Sequence, residues 1–136
     1  MKLGFIGTGN ISSDVINGIC KSSISFKRII ISPRNKKNAI KLKKKFKKIT
    51  IAKDNQEVIN NSDWIFLGVL PEVGKKILPE LNFKSKQTII SFISTISYLE
   101  LKRLIKKKTT IVRAIPMPPI ALGKGPVPIF PPNKKV

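Results

Sequence analysis

The sequence predicts an α/β protein, a doubly wound, mostly parallel sheet with a proline-rich C-terminal extension. Short runs such as Arg28-Ile29-Ile30-Ile31 and Trp64-Ile65-Phe66-Leu67 have the near-continuous apolarity of strands covered on both faces. Between them lie polar stretches whose apolar residues recur at helical spacing. Strand and helix alternate with short connections, and right-handed crossovers then fix the topology.

Lys2 to Ile6 reads as the first strand, followed by a glycine turn and a helix from Asn10 with Val15, Ile16, Ile19 and Cys20 on one face. Arg28 to Ser32 is the second strand, ended by Pro33. Asn35 to about Lys47 is the next helix, turning Ala39, Ile40, Leu42 and Phe46 inward and its lysines to solvent. Ile49 to Ala52 is a short third strand, Glu57 to Asn61 a brief helix, and Trp64 to Leu70 a fourth strand stopped by Pro71. Glu72 to Leu78 is helical, Gln87 to Ile93 the fifth strand, Ser97 to Lys106 a helix with Leu99, Leu101, Leu104 and Ile105 inward, and Thr109 to Ile115 the sixth strand. Seven of the ten prolines fall in 116–132, so no helix runs through that segment, while Val127 to Phe130 suits an edge strand. The expected division is a nucleotide-binding unit over 1–116 and a Pro-rich extension over 117–136.

At 136 residues the chain is one domain's worth, and its 41% hydrophobic content argues against disorder. Every apolar run ends before the roughly 18 residues a membrane helix requires, and nothing resembling an export signal precedes the first strand. Cys20 is the single cysteine and there is no histidine, so neither a disulfide nor a metal site is expected; a cytoplasmic location fits. The net charge of +20 would ordinarily suggest nucleic acid. The excess is nearly all lysine, however, with arginine only at positions 28, 34, 103 and 113, and basic grooves for single strands usually interleave aromatics. The run from Lys36 to Lys48 therefore reads as the solvated face of a sheet-covering helix, and neither nucleic acid nor membrane is an expected partner.

Gly7-Thr8-Gly9, lying between an apolar strand and an amphipathic helix, has the form of a dinucleotide-binding turn of the Rossmann type. Gly7 would allow the sharp exit from the strand, Gly9 a close approach of backbone to a pyrophosphate, and Asn10 and Ile11 the helix amides pointed at it. Ser12 stands where Gly or Ala is usual, and an ordinary tight turn in another α/β protein is the competing reading. After the second strand, Ser32-Pro33-Arg34-Asn35 offers no acid for a ribose diol but a hydroxyl and a guanidinium fork, which points to NADP rather than NAD; the alternative is that Arg34 is a plain surface residue. Asn55 could reach an adenosine ribose, or Asp54-Asn55 could cap the following helix.

Gly4-Phe5-Ile6-Gly7-Thr8-Gly9-Asn10, Ser32-Pro33-Arg34-Asn35, Asn55-Gln56-Glu57-Val58, Asp63 to Pro71 and Val112 to Pro119 occur in an order and spacing that resembles the pyrroline-5-carboxylate reductases. The resemblance covers nearly the whole chain. It implies an NADP-preferring oxidoreductase of proline biosynthesis, with a Rossmann domain followed by a helical dimerisation and substrate domain that is absent here. It implies that Gly7, Gly9, Asn10 and Ile11 hold the pyrophosphate, Ser32 and Arg34 the 2′-phosphate and Asn55 the adenosine ribose. Val69, Leu70 and Pro71 would line the way to the nicotinamide, with Pro116 and Met117 near its carboxamide. Two motifs depart from the family: its Ala-Val-Lys-Pro-Gln is Gly68-Val69-Leu70-Pro71-Glu72, losing a cation, and its Met-Pro-Asn-Thr-Pro is Ile115-Pro116-Met117-Pro118-Pro119, losing an amide and a hydroxyl.

The function expected is hydride transfer between NADPH and a small cyclic imine; the alternative is a non-catalytic NADP-binding module or fragment acting through a partner chain. No residue is identifiable as catalytic. Arg113 is the one candidate near a strand end to clamp a carboxylate, unless it pairs with Asp63 or Glu72. A homo-oligomer or a partner chain is expected to cover the C-terminal segment.

Overall fold

Apolar runs flanked by polar, lysine-rich helices can bury both faces of a sheet only if successive crossovers distribute those helices to opposite sides. The computed structural model, which describes residues 1–136, has this arrangement. Its strands are β1 (Lys2–Ile6), β2 (Arg28–Ile31), β3 (Ile49–Ile51), β4 (Trp64–Leu67), β5 (Thr88–Ser91), β6 (Thr110–Ala114) and β7 (Ile129–Phe130). Its helices are α1 (Asn10–Lys21), α2 (Lys36–Lys45), α3 (Asn55–Asn60), α4 (Pro71–Ile77) and α5 (Tyr98–Ile105), with single 3-10 turns at Leu78–Glu80 and Pro118–Leu122. The sheet order is β3-β2-β1-β4-β5-β6-β7. β1 to β6 run parallel and β7 antiparallel to β6. The chain builds outward from β1 to β3, returns past it to β4 and builds outward the other way. The connections thus part on opposite sides between β1 and β4, opening a crevice at the carboxyl ends of those strands.

Side-chain alternation divides the core in two. Leu3, Phe5, Ile29, Ile31 and Phe66 meet Val15 and Ile16 of α1 and Ala39 and Leu42 of α2 on one face. Ile6, Ile30, Ile65, Leu67 and Ile89 meet Val58 and Ile59 of α3 and Leu101 and Ile105 of α5 on the other. Each fully buried side chain of this size contributes roughly 1.5–3 kcal/mol, and the Phe5 and Phe66 rings add a stack at 4.5 Å between centroids. Helix starts are fixed locally: Asn35 accepts from the Asn38 amide at 3.2 Å, Asp54 from the Glu57 amide at 2.8 Å and Ser97 from the Glu100 amide at 3.2 Å, caps worth about 1 kcal/mol each. No helix is long and apolar enough to cross a membrane.

The structure corrects several sequence readings in detail. Leu99 is 66% exposed and Ile40 47% exposed, so neither turns inward; α5 and α2 each bury a narrower stripe than their apolar content suggests. β4 ends at Leu67 rather than Leu70 and β5 at Ser91 rather than Ile93. One further ladder bond follows each, Gly68 N to Ile6 O at 2.9 Å and Phe92 N to Leu67 O at 2.8 Å, after which the backbone turns away to wall the crevice. α4 begins on Pro71 itself, a first-turn position where the missing N–H costs nothing. The edge strand is confined to Ile129–Phe130, and the proline-rich segment supplies one 3-10 turn that packs on α1.

That packing depends on Gly18. An ideal Cβ there would lie 2.2 Å from the Ile120 carbonyl oxygen, so α1 and the Pro118–Leu122 turn touch backbone to backbone. Gly18→Ala sets a helix-propensity gain of about 1 kcal/mol against overpacking of roughly 1–3 kcal/mol, and the clash should win because backbone cannot rotate aside. Denaturant unfolding followed by Trp64 fluorescence is expected to show a lower midpoint; an unchanged or higher one would mean the turn is not held on α1.

Candidate functional site

The crevice at the carboxyl ends of β1, β2 and β4 is a cleft of about 680 Å³. It is lined along one edge by Gly7, Thr8, Gly9, Asn10 and Ile11, at one end by Ser32, Arg34, Asn35, Lys36 and Asn55, and at the other by Gly68, Val69, Leu70, Val73, Ile77 and Phe92. No Asp or Glu is among these residues. Cations gather at one end, and the other end is largely apolar.

The glycine turn is shaped by close approach. Gly7 has φ +95°, the left-handed region that glycine enters without strain, and a Cβ on it would lie 2.4 Å from the Gly68 carbonyl oxygen. Gly68 in turn leaves room for Ser12: a Cβ on Gly68 would lie 2.0 Å from Ser12 Oγ. The unusual Ser12 is thus accommodated by a glycine on the neighbouring strand's exit, and α1 still packs tightly against the sheet. Gly9, with φ −65°, is the N-cap of α1 and provides no side-chain cap, so the first amides of the helix are left for another acceptor. A Cβ on Gly9 would meet nothing within 4 Å; the space above it is open cleft. Thr8 is only 2% exposed, yet its hydroxyl has no hydrogen-bond partner.

Side chains from two helices and a strand exit hold this turn. Ser32, 2% exposed, accepts a hydrogen bond from the Gly7 amide at 2.9 Å, tying the exits of β1 and β2 together. The Thr8 carbonyl accepts from Asn38 Nδ2 at 2.7 Å and from Ser13 Oγ at 3.1 Å. Arg34 is exposed at the cleft mouth, with Lys36 beside it on the first turn of α2. Asp54 caps α3, leaving half-buried Asn55 to line the cleft.

Of the residues singled out from sequence, Gly7, Gly9, Asn10, Ile11, Ser32, Arg34, Asn55, Val69 and Leu70 converge on this one cleft, and Pro71, Pro116 and Met117 lie outside its lining. Pro71 heads α4, Pro116 is buried just after β6 and Met117 is 47% exposed ahead of the 3-10 turn. Arg113 pairs with neither Asp63 nor Glu72. Its Nη2 donates to the Ser94 carbonyl, its Nε is buried without a partner, and the one ion pair in the molecule is Lys75–Glu100 at 3.5 Å. Cys20 lies on α1 outside the cleft, and burial pushes its thiol above the ordinary value against a smaller opposing effect of Lys48 and Lys45, so it is not a ready nucleophile. Sequence reasoning missed Asn38, Ser13 and the partnership of Gly68 with Ser12. An Asn three residues after a cap was a visible signal for a side chain near the α2 start; the others depend on tertiary approach.

The residues fit a dinucleotide. An uncapped helix start, an open space where Gly9 lacks a Cβ and an orphaned, buried Thr8 hydroxyl together form a cradle for an anion. Arg34 and Lys36 supply charge at one end, and Val69, Val73 and Phe92 supply apolar walls for a ring at the other.

Comparison with known proteins agrees with this architecture. Residues 2–95 match the family model described as NADP oxidoreductase coenzyme F420-dependent. The chain is 31% identical over 128 residues to pyrroline-5-carboxylate reductase 3 of Danio rerio, covering 92% of this chain and 44% of that protein. Among solved structures it is similar to 1-pyrroline-5-carboxylate reductase of Streptococcus pyogenes, with 30% identity and a TM-score of 0.72 over 85% of this chain and 42% of that one. Pyrroline carboxylate reductase of Plasmodium falciparum, solved with NADP bound, shares the fold at 23% identity with a TM-score of 0.83, covering 99% of this chain and 50% of its own. The chain therefore spans about half the length of the relatives it matches. With its glycine turn, switch-point cleft and the match over residues 2–95, the chain belongs to the NADP oxidoreductase coenzyme F420-dependent family.

Proposed function

We propose that this chain is the NADP(H)-binding half of a pyrroline-5-carboxylate reductase-like oxidoreductase that transfers hydride between NADPH and a small cyclic imine. The observation that carries the reading is the polarity of the cleft: Arg34 and Lys36 at the end beyond β2, no acidic residue anywhere in the lining, and an apolar far end. A 2′-phosphate carries charge that an acid at that turn would repel, and a guanidinium fork matches its geometry.

In this reading Gly7, Gly9, Asn10 and Ile11 hold the pyrophosphate, Ser32 and Arg34 the 2′-phosphate, and Asn55 the adenosine ribose. Ser32 accepts from the Gly7 amide and keeps its own proton to donate outward. Val69, Leu70 and Pro71 flank the approach to the nicotinamide ring, with Pro116 and Met117 beyond them toward its carboxamide. Reduced nicotinamide, when bound, supplies the hydride. The chain's own residues orient the ring and exclude water around it; with no titratable side chain lining that end, an imine bound already protonated needs no proton from this chain. Residues 1–116 form the cofactor unit and 117–136 the extension. A second polypeptide or second copy supplies the substrate carboxylate contact and covers the C-terminal segment, a role supported by the exposure of Leu122, Ile129 and Phe130. We place the protein in the cytoplasm.

Calorimetric titration tests the cofactor assignment. Arg34→Asp removes a charge-assisted pair worth about 1.5–3 kcal/mol, so NADPH affinity should fall roughly ten- to hundredfold while NADH affinity changes little. Equal losses for both cofactors would defeat the 2′-phosphate assignment.

The two glycines of the turn separate folding from binding. Gly9→Ala should cost no more than about 1 kcal/mol of stability, the order of the Gly-to-Ala difference at an N-cap, and still weaken NADPH, because the new Cβ enters only the cradle. Gly7→Ala should lower stability by a few kcal/mol, about 1–3 from strained backbone plus the clash with Gly68. Unfolding curves alongside NADPH titrations check both, and a Gly9→Ala chain that binds NADPH normally would move the pyrophosphate elsewhere.

A further inference from the structure

We infer that Asn38 is a positioning residue of the cofactor cleft: from α2, which touches the other end of the ligand, it locks the Thr8–Gly9 peptide in the orientation that receives an anion. The inference rests on the cofactor reading above and adds to it a residue outside the cleft lining.

Asn38 occupies the third helical position after the Asn35 cap. There a Glu or Gln would commonly reach back to the cap amide. Asn38 instead gives its backbone amide to Asn35 Oδ1 at 3.2 Å and sends its side chain across to the Thr8 carbonyl, 30 residues away in sequence, at 2.7 Å. The acceptor is a carbonyl, which fixes the Asn38 amide with its NH2 toward Thr8. Ser13 Oγ adds a second, longer bond to the same oxygen at 3.1 Å.

Two donors on the Thr8 carbonyl matter because the next residue in the chain is a glycine. Gly9 has no Cβ and meets nothing within 4 Å where one would be, so the Thr8–Gly9 peptide is the link in this turn that rotates at least steric cost. Rotated, it would aim the Thr8 carbonyl oxygen at an incoming pyrophosphate and withdraw the Gly9 N–H, exchanging an attraction for a repulsion. Held as it is, the carbonyl faces the α1–α2 groove, where Asn38, Ser13 and Asn17 line a second cavity, and the amides of the turn are left to the cleft. Asn35 and Lys36 line the first cleft while Asn38 anchors the turn. Placement of α2 at the 2′-phosphate end and conformation at the pyrophosphate are thereby joined by one side chain.

The test uses Asn38→Ala and Asn38→Asp in the whole chain, titrated with NADPH and with adenosine 2′-monophosphate, which reaches the Arg34 end but not the turn. The 13C shift of the Thr8 carbonyl is followed in the ligand-free protein. Asn38→Ala should weaken NADPH about tenfold, and Asn38→Asp more, because it places an acceptor against an acceptor. Adenosine 2′-monophosphate should bind both variants within about twofold of wild type, a margin below one ordinary hydrogen bond. The Thr8 carbonyl resonance should move in both variants. Equal weakening of both ligands would make Asn38 a merely structural support of α2 and overturn the inference, as would unchanged NADPH binding. A stationary Thr8 resonance overturns the clamp whether or not any nucleotide binds, whereas wild-type protein that fails to bind NADPH while the resonance moves in the variants refutes the cofactor reading and leaves the clamp standing.

Discussion

The structure depends on one close approach: the exit of β1 against the exit of β4. Gly7 turns in the left-handed region with its missing side chain filled by the Gly68 carbonyl, and Gly68 in turn yields its own side-chain space to Ser12 of α1. Backbone-to-backbone contact of this kind has no slack. It sets where α1 starts, and the uncapped amides of that start face the crevice that the β1–β4 divergence opens. Placing Ser at the position usually held by Gly or Ala is tolerated only because the partner position is itself glycine, so the two departures from a generic helix–strand contact must be read as a pair.

From that anchor the cleft acquires its direction. The turn is tied to β2 by Ser32 and to α2 by Asn38, and the connection from β2 brings Arg34 to the same end as Lys36, the first residue of α2. Cations therefore cluster where the chain passes from β2 to α2, and the carboxyl ends of β4 and β5 contribute Val69, Leu70 and Phe92 to the other end. This asymmetry has a topological origin: strand exits that continue into a lysine-rich helix carry charge, and those that continue past apolar residues into α4 do not. A ligand with a highly charged end and a flat, weakly charged ring matches it along its length.

Much of this is legible in the sequence. Strand–helix alternation, the glycine turn and the Ser32–Arg34 end arise from local pattern, and those residues meet in one cleft because doubly wound topology leaves them little choice. What could not be read was whatever depends on a distant neighbour. Leu99 and Ile40 satisfy helical periodicity and still face solvent, since α5 and α2 each meet the sheet along a narrow stripe. The points where β4 and β5 leave the ladder, at Leu67 and Ser91, were hidden because the residues beyond them are as apolar as strand. Arg113, a clamp or an ion-pair partner by sequence, holds the Ser94 carbonyl instead, a partner no side-chain pattern announces. Pro116 and Met117 follow β6 and are not part of the cleft lining.

The large positive charge poses a last physical question, because +20 on 136 residues would be expected to oppose folding by self-repulsion. One ion pair, Lys75–Glu100, cannot offset it. The fold distributes the charge instead: α2 buries only Ala39 and Leu42 and turns its lysines outward, where water and salt screen them. Several lysines are also used as hydrocarbon and donor, with Lys48 lying over the Phe26 ring at 4.8 Å while its ammonium reaches the Phe26 carbonyl, and Lys45 reaching Asn17 on α1 at 2.6 Å. Lysine at these positions covers apolar surface and stitches α2 to α1 without needing an acidic partner. The same surplus leaves a field that draws anions toward the α2 end of the cleft, so the charge that burdens folding lies on the side from which a phosphorylated ligand would enter.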